Sequence, residues 1–324
     1  MDDGSMVDGG LQRVVAVDWS GDKGPGQRKK IWAGVWTAST DKVTLESGRT
    51  REELFAWLVA MAAETPRMVV GIDCCFSFPA WFLAEHGCVR VFDFWRHVAD
   101  GQGERWLARE CEEIARDERF WGKPHKRPEQ FCGAGLHRSM RMTDMENKIT
   151  PKLLEGDPER AAKVKGITPK SPFQIGGSGS VGTGSLRAMP FLLRLREAGF
   201  RVWPFESAAL SGKNPKPLVV EMYTRLLTGA VAKSNALARR EYLLAKKRMD
   251  AADVGLAYSK LSRGVMAKAM GSEDAFDALV CCMEMVQWRQ EFAGLKATRD
   301  EVLRLEGITW RPGVCVSARL NRRG

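Results

Sequence analysis

No apolar run in this chain approaches the roughly 20 residues that a membrane-spanning helix needs, which argues against helical membrane spans. The opening segment MDDGSMVDGG has neither a basic stretch nor an apolar core, so it is not expected to act as an export signal. It reads as a disordered leader over residues 1–10, with Met6 as a second possible start. Cysteine occurs eight times but never as C-x-x-C. Two adjacent pairs, Cys74/Cys75 and Cys281/Cys282, lie in apolar segments where a free thiol behaves as a small hydrophobe. Without an export signal this predicts a reduced, cytoplasmic setting. The four histidines show no zinc-type spacing with cysteine. The glycine-rich run GGSGSVGTG at 176–184 is not followed by G-K-[ST], which excludes a Walker nucleotide-binding loop. No internal repeat is present.

What the chain does have is length, basic charge and well-placed acids. Its 324 residues suffice for one large α/β domain or two small ones. Fifty Lys and Arg against 40 Asp and Glu give a net charge of +10. That excess suits a polyanionic partner and equally a generally basic surface. The acids stand where apolar runs end or helices begin: Asp18 in VVAVDWSG, Asp73 in MVVGIDCCFSFP, Glu221 in PLVVEMYTRLLTG, and Asp274/Asp277 in SEDAFDALVCCMEM. A buried strand that ends in a carboxylate incurs a desolvation cost unless something positive sits opposite. Several such carboxylates together call for a divalent cation.

Residues 14–18 read as a strand feeding a turn, IWAGVWTA and KVTLES as the next two strands of an antiparallel meander, and 68–72 as a parallel strand buried on both faces. Between them TREELFAWLVAMAAE predicts a helix with Thr50 as N-cap and Glu53 completing a capping box. Helices are predicted over 79–85 and 104–120, and residues 86–170 read as a helix-and-loop insertion. LRAMPFLLRLREAG predicts an amphipathic helix, FRVWPF and PLVVEMY two further strands, and 233–248 a basic helix. The last long helix runs over 272–292 with Ser272 as N-cap. The tail EGITWRPGVCVSARLNRRG closes with a strand.

Asp18 and Asp73 end strands that a right-handed crossover sets side by side. They would then face each other at the carboxyl edge of the sheet, where open α/β sheets bind ligands. Asp274 and Asp277 share one helix face at i and i+3. The gathered acids suit two Mg²⁺ or Mn²⁺ ions and in-line phosphoryl displacement. The alternatives are ordinary: Asp is common in turns, and Glu273 and Asp274 also suit a helix dipole. Glu221 is either a further ligand, the base that activates water, or a salt-bridged strand residue. Glu206 competes with it.

The motifs VAVDWSG, GIDCCFSFP, SPFQIGGSGSVGTGSL, EMYTRLLTG and DAFDALVCCMEM together resemble a family of uncharacterised proteins described as predicted nucleases of RNase H fold. The resemblance runs from about residue 13 to 312 and extends, more distantly, to RuvC-type resolvases. It implies an RNase H-like mixed sheet of five strands, the first three antiparallel, flanked by helices, in one domain over 11–324. It also implies Asp18, Asp73, Asp274 and Asp277 as metal-binding acids. The chain departs from the family in reading Tyr223-Thr224 where the family has Y-P, and in its long insertion.

A nuclease needs a surface for nucleic acid. The candidates are Ser20 beside Asp18, Gly177 and Ser178 in the glycine-rich loop, and Lys233, Arg239 and Arg240 of the basic helix. Lys246, Lys247, Arg248 and the segment KPHKRP at 123–128 offer similar charge, and Trp19 or Trp203 offer base stacking. Solvated helix faces and core packing explain the same residues. Sheets of this kind also carry ATP-dependent phosphotransferases, of which GDKGPG at 21–26 is a faint echo. A non-catalytic nucleic-acid-binding protein is the third reading.

Overall fold

A computed structural model describes residues 10–108, 117–153, 167–177, 180–229, 231–249 and 258–314. Residues 1–9 of the leader expected over 1–10, Ser178, much of the helix expected over 104–120 and the last ten residues lie outside these. At the centre is a mixed sheet in the order β3-β2-β1-β4-β6-β5. The strands are β1 (Arg13–Asp18), β2 (Trp32–Thr37), β3 (Lys42–Glu46), β4 (Met68–Asp73), β5 (Arg201–Trp203) and β6 (Leu218–Met222). β1, β2 and β3 pair antiparallel, and β4, β6 and β5 continue the sheet in parallel to β1. The sheet therefore has six strands where the family resemblance implies five. The sixth is the three-residue β5, whose FRVWPF sequence is cut short as a strand by Pro204, which lacks the N–H a ladder needs.

The fold is α/β, with an apolar core on each face of the sheet. One face packs against the helix Arg51–Glu64, the helix Gly182–Glu197 and the region around Phe76–Phe131. Thr50 and Glu53 form the expected capping box at the first of these. Residues of the 86–170 insertion share this core rather than forming one of their own. Phe78, Phe82, Trp106, Phe120 and Phe173 interlock at centroid distances of 4.9–6.5 Å.

The other face packs against the helices Ala236–Met249, Arg263–Gly271 and Glu273–Gln287. The last lies close to the strands because the sheet offers it a row of small residues. Gly34 of β2 pairs with Ala16 of β1, and Ala16 with Gly71 of β4. A Cβ on Gly34 would stand 2.5 Å from the carbonyl of Ala278, and one on Gly71 would stand 2.7 Å from the Met285 sulfur. No described helix is long and apolar enough to cross a membrane.

Candidate functional site

Asp18 is the last residue of β1 and Asp73 the last of β4. Val17 pairs with Ile72 in the parallel ladder, so both aspartates leave the same edge of the sheet from neighbouring strands. The helix Glu273–Gln287 starts at Ser272, whose Oγ accepts from the Ala275 N–H at 3.3 Å, and it brings Asp274 and Asp277 to the same place. Electrostatics record the gathering. Burial, then the charges of Asp277, Asp73 and Asp274, push the Asp18 carboxyl well above the usual carboxylate range. Burial lifts Asp73 to about 6, with Lys233 and Thr224 opposing and Glu221 adding. It lifts Asp277 to about 7, with Lys233 opposing and Asp73 and Glu273 adding. Asp274 is raised by burial and by Glu273. All four acids expected to bind metal therefore converge.

One cation lies among them. Lys233 Nζ donates to Asp277 Oδ2 and stands 3.6 Å from Glu273. Asp277 is only 2% exposed, yet its second oxygen, Oδ1, has no hydrogen-bond partner. An orphaned buried carboxylate oxygen within an all-oxygen donor set is the chemistry a hard divalent cation takes. No three of these aspartates bring oxygens within 4.8 Å of one another, so holding one ion requires side-chain rotation toward it.

The only described trio that close is Cys75, Asp144 and Glu221. Its positive charge is already in place. Arg141, itself buried, donates from Nη1 and Nη2 to Glu221 at 2.7 and 2.6 Å, and from Nε and Nη2 to Asp144 at 3.0 and 2.9 Å. Glu221 also accepts from the Phe76 N–H at 2.7 Å and the Thr309 hydroxyl at 2.8 Å. Burial pushes the Cys75 thiol far up, so it keeps its proton at neutral pH and is a poor ligand. Of the readings open for Glu221, the salt-bridged residue is the one its contacts match. Glu206 lies away from the acids, on Arg196, Arg201 and the Val202 N–H. Sequence reasoning missed Arg141, whose segment shows no helical or strand period, and Thr309, whose tail reads as a closing strand but among the described residues makes only an isolated bridge from Trp310 to Met222.

A cleft of about 690 Å³ opens beside the cluster. Ser20, Asp73, Gly177 and Lys233 line it, as do Lys30, Lys170, Arg187 and Arg225. The glycine-rich loop is fitted against its neighbours. A Cβ on Gly21 would stand 2.6 Å from the Gly184 nitrogen, and one on Gly122 would stand 2.3 Å from the Gly176 nitrogen. Arg240 is exposed, but Arg239 is buried and spends its guanidinium on the carbonyls of Lys233 and Met270. As placed it cannot reach a phosphate. Trp203 is buried and donates to the Lys296 carbonyl, away from the cleft, which removes it as a base-stacking platform, whereas Trp19 donates to the Gly184 carbonyl and lines the cleft. Lys123, Lys126 and Arg127 of KPHKRP are exposed.

No protein-family model, no curated protein and no solved structure matches this chain.

Proposed function

We propose that this protein is a divalent-metal-dependent nuclease that hydrolyses phosphodiester bonds of nucleic acid. The observation that carries this reading is the meeting of Asp18, Asp73, Asp274 and Asp277 from two strand ends and one helix beside a basic cleft. These four residues would hold Mg²⁺ or Mn²⁺. The bound metal would polarise the phosphoryl oxygen and lower the pKa of an attacking water. The basic side chains lining the cleft, Lys30, Lys170, Arg187 and Arg225, supply the attraction for a polyanion. Lys30 and Arg187 are already paired with Asp22 and Glu104, so they contribute field more than free donors. Glu221 and Arg141 act indirectly. Through the Phe76 N–H they fix the chain three residues after Asp73.

The test is cleavage of labelled single-stranded, duplex, hybrid and four-way-junction substrates with Mg²⁺ and with Mn²⁺. Cutting should disappear in EDTA and in both Asp18→Asn and Asp277→Asn. Binding without cutting, unchanged in the two variants, would replace this reading with a nucleic-acid-binding module. Neither binding nor cutting, with ATP hydrolysis present, would replace it with a phosphotransferase.

A further inference from the structure

The backbone that carries Lys233 is tied down from two sides. Arg225 Nη1 donates to the Val231 carbonyl at 2.6 Å, and Arg239 Nη1 donates to the Lys233 carbonyl at 2.5 Å. Arg239 is anchored in turn by the Met270 carbonyl, two residues before the N-cap of the helix bearing Asp277. The Lys233 N–H closes the turn onto the Val231 carbonyl at 2.8 Å. Burying a guanidinium and fixing a loop both cost free energy. A lysine that merely covered a solvated face would need neither.

The clamped backbone delivers the Lys233 ammonium onto Asp277 Oδ2, inside the acid cluster and on the wall of the cleft. The same carboxylate keeps its other oxygen buried and unpartnered. One oxygen of Asp277 is thus occupied by a resident cation and the other is left for a visiting one. A second divalent ion placed beside the ammonium would face strong like-charge repulsion at short range.

We infer that Lys233 is a built-in cation of the acid cluster, standing where a two-ion site carries its second ion. The site therefore takes a single divalent cation, on Asp277 Oδ1 with Asp18, Asp73 and Asp274. This rests on the metal-dependent reading above and replaces two ions with one ion and one lysine.

Equilibrium dialysis of the full chain against Mn²⁺, with free Mn²⁺ counted by electron paramagnetic resonance, tests it without any assay of activity. The expected result is one tightly bound ion per wild-type chain, two in Lys233→Met, and loss of the tight ion in Asp277→Asn. Lys233→Arg, which keeps the charge, should hold the count at one. Two tight ions on the wild-type chain overturn the inference, as does one ion of unchanged affinity in Lys233→Met. Two ions together with metal-dependent cutting leave the nuclease reading standing and remove the role of Lys233 alone. No bound ion in any form removes both. If Lys233→Met does not fold, the wild-type count decides.

Discussion

Arg141→Met should destabilise the protein severely, and the size of the loss follows from what the guanidinium holds. Arg141 is 1% exposed and is the cation shared by two buried carboxylates, Glu221 and Asp144, through four hydrogen bonds of 2.6–3.0 Å. Methionine fills much of the volume but leaves both acids facing each other without a cation. Breaking a buried pair by removing one partner costs about 3–5 kcal/mol. Unfolding entropy near 2.1 cal/mol/K per residue gives a chain of this length about 0.7 kcal/mol per kelvin, so a loss of ~4 kcal/mol lowers Tm by about 6 °C. Glu221→Gln should cost less. The amide oxygen can still accept from Phe76 or Thr309, and Asp144 still pairs with Arg141. In the double variant the two losses should not add, because they remove one shared interaction. The assay is thermal and urea unfolding followed by circular dichroism, combined as a double-mutant cycle. Arg141→Met within about 1 kcal/mol of wild type would refute the reasoning, since no buried ion pair so engaged is that cheap to break. Glu221→Gln that keeps full stability but loses divalent-ion binding would refute it differently, by making Glu221 a metal ligand.

Three further outcomes follow from the packing and charge of the site. Asp73 at about 6 and Asp277 at about 7 lie above their unfolded values. The metal-free folded chain therefore binds extra protons between about pH 4 and 7, and these two groups erode stability as pH rises through that window. Divalent ions need both acids ionised, so the rise in Tm on adding Mg²⁺ should grow from about pH 5 to about pH 8. Differential scanning calorimetry showing the same rise at both pH values would count against this coupling. Gly34→Ala should cost about 1–3 kcal/mol and lower divalent-ion affinity, because its Cβ would meet the Ala278 carbonyl and push the helix bearing Asp277 off the sheet. Unchanged Mn²⁺ affinity would show that the helix does not move. Gly21→Ala should destabilise by a similar ~1–3 kcal/mol through its clash with Gly184, whereas Gly271→Ala, with open space around it, should be nearly neutral in the same melts.

The acids were legible because they obey local rules. Asp18 and Asp73 close runs of β-branched residues, and such runs form strands wherever they end up in the fold. Ser272 caps the helix that carries Asp277, and a cap is written in four consecutive residues. The six strands and the antiparallel meander follow from the same short-range patterns. The cations were not legible, because their roles are set by partners far away in sequence. Arg141 meets Glu221 across 80 residues, from a segment without a period. Arg239 lay in a helix rich in Lys and Arg, where charge suggested a solvated face or a phosphate track. Yet the buried positions of that helix are Arg239 and Leu243, one turn apart. Helical spacing from Leu243 alone would have placed Arg239 on the inner face. The glycine-rich loop was legible in part, since Gly177 lines the cleft beside the acids. Glycine there permits close backbone approach between two chain segments, and composition cannot tell that use from flexibility.

This asymmetry has a physical source. Short Asp side chains are positioned by the strand or helix that bears them, so finding the element finds the charge. Long Arg and Lys side chains reach partners several ångströms from their own backbone, and their function is fixed only when the fold supplies the acceptor. At this site a sequence therefore discloses the negative half of the electrostatics and conceals the positive half. If the acids hold metal as proposed, the number of ions depends on the concealed half, on where the Lys233 ammonium rests.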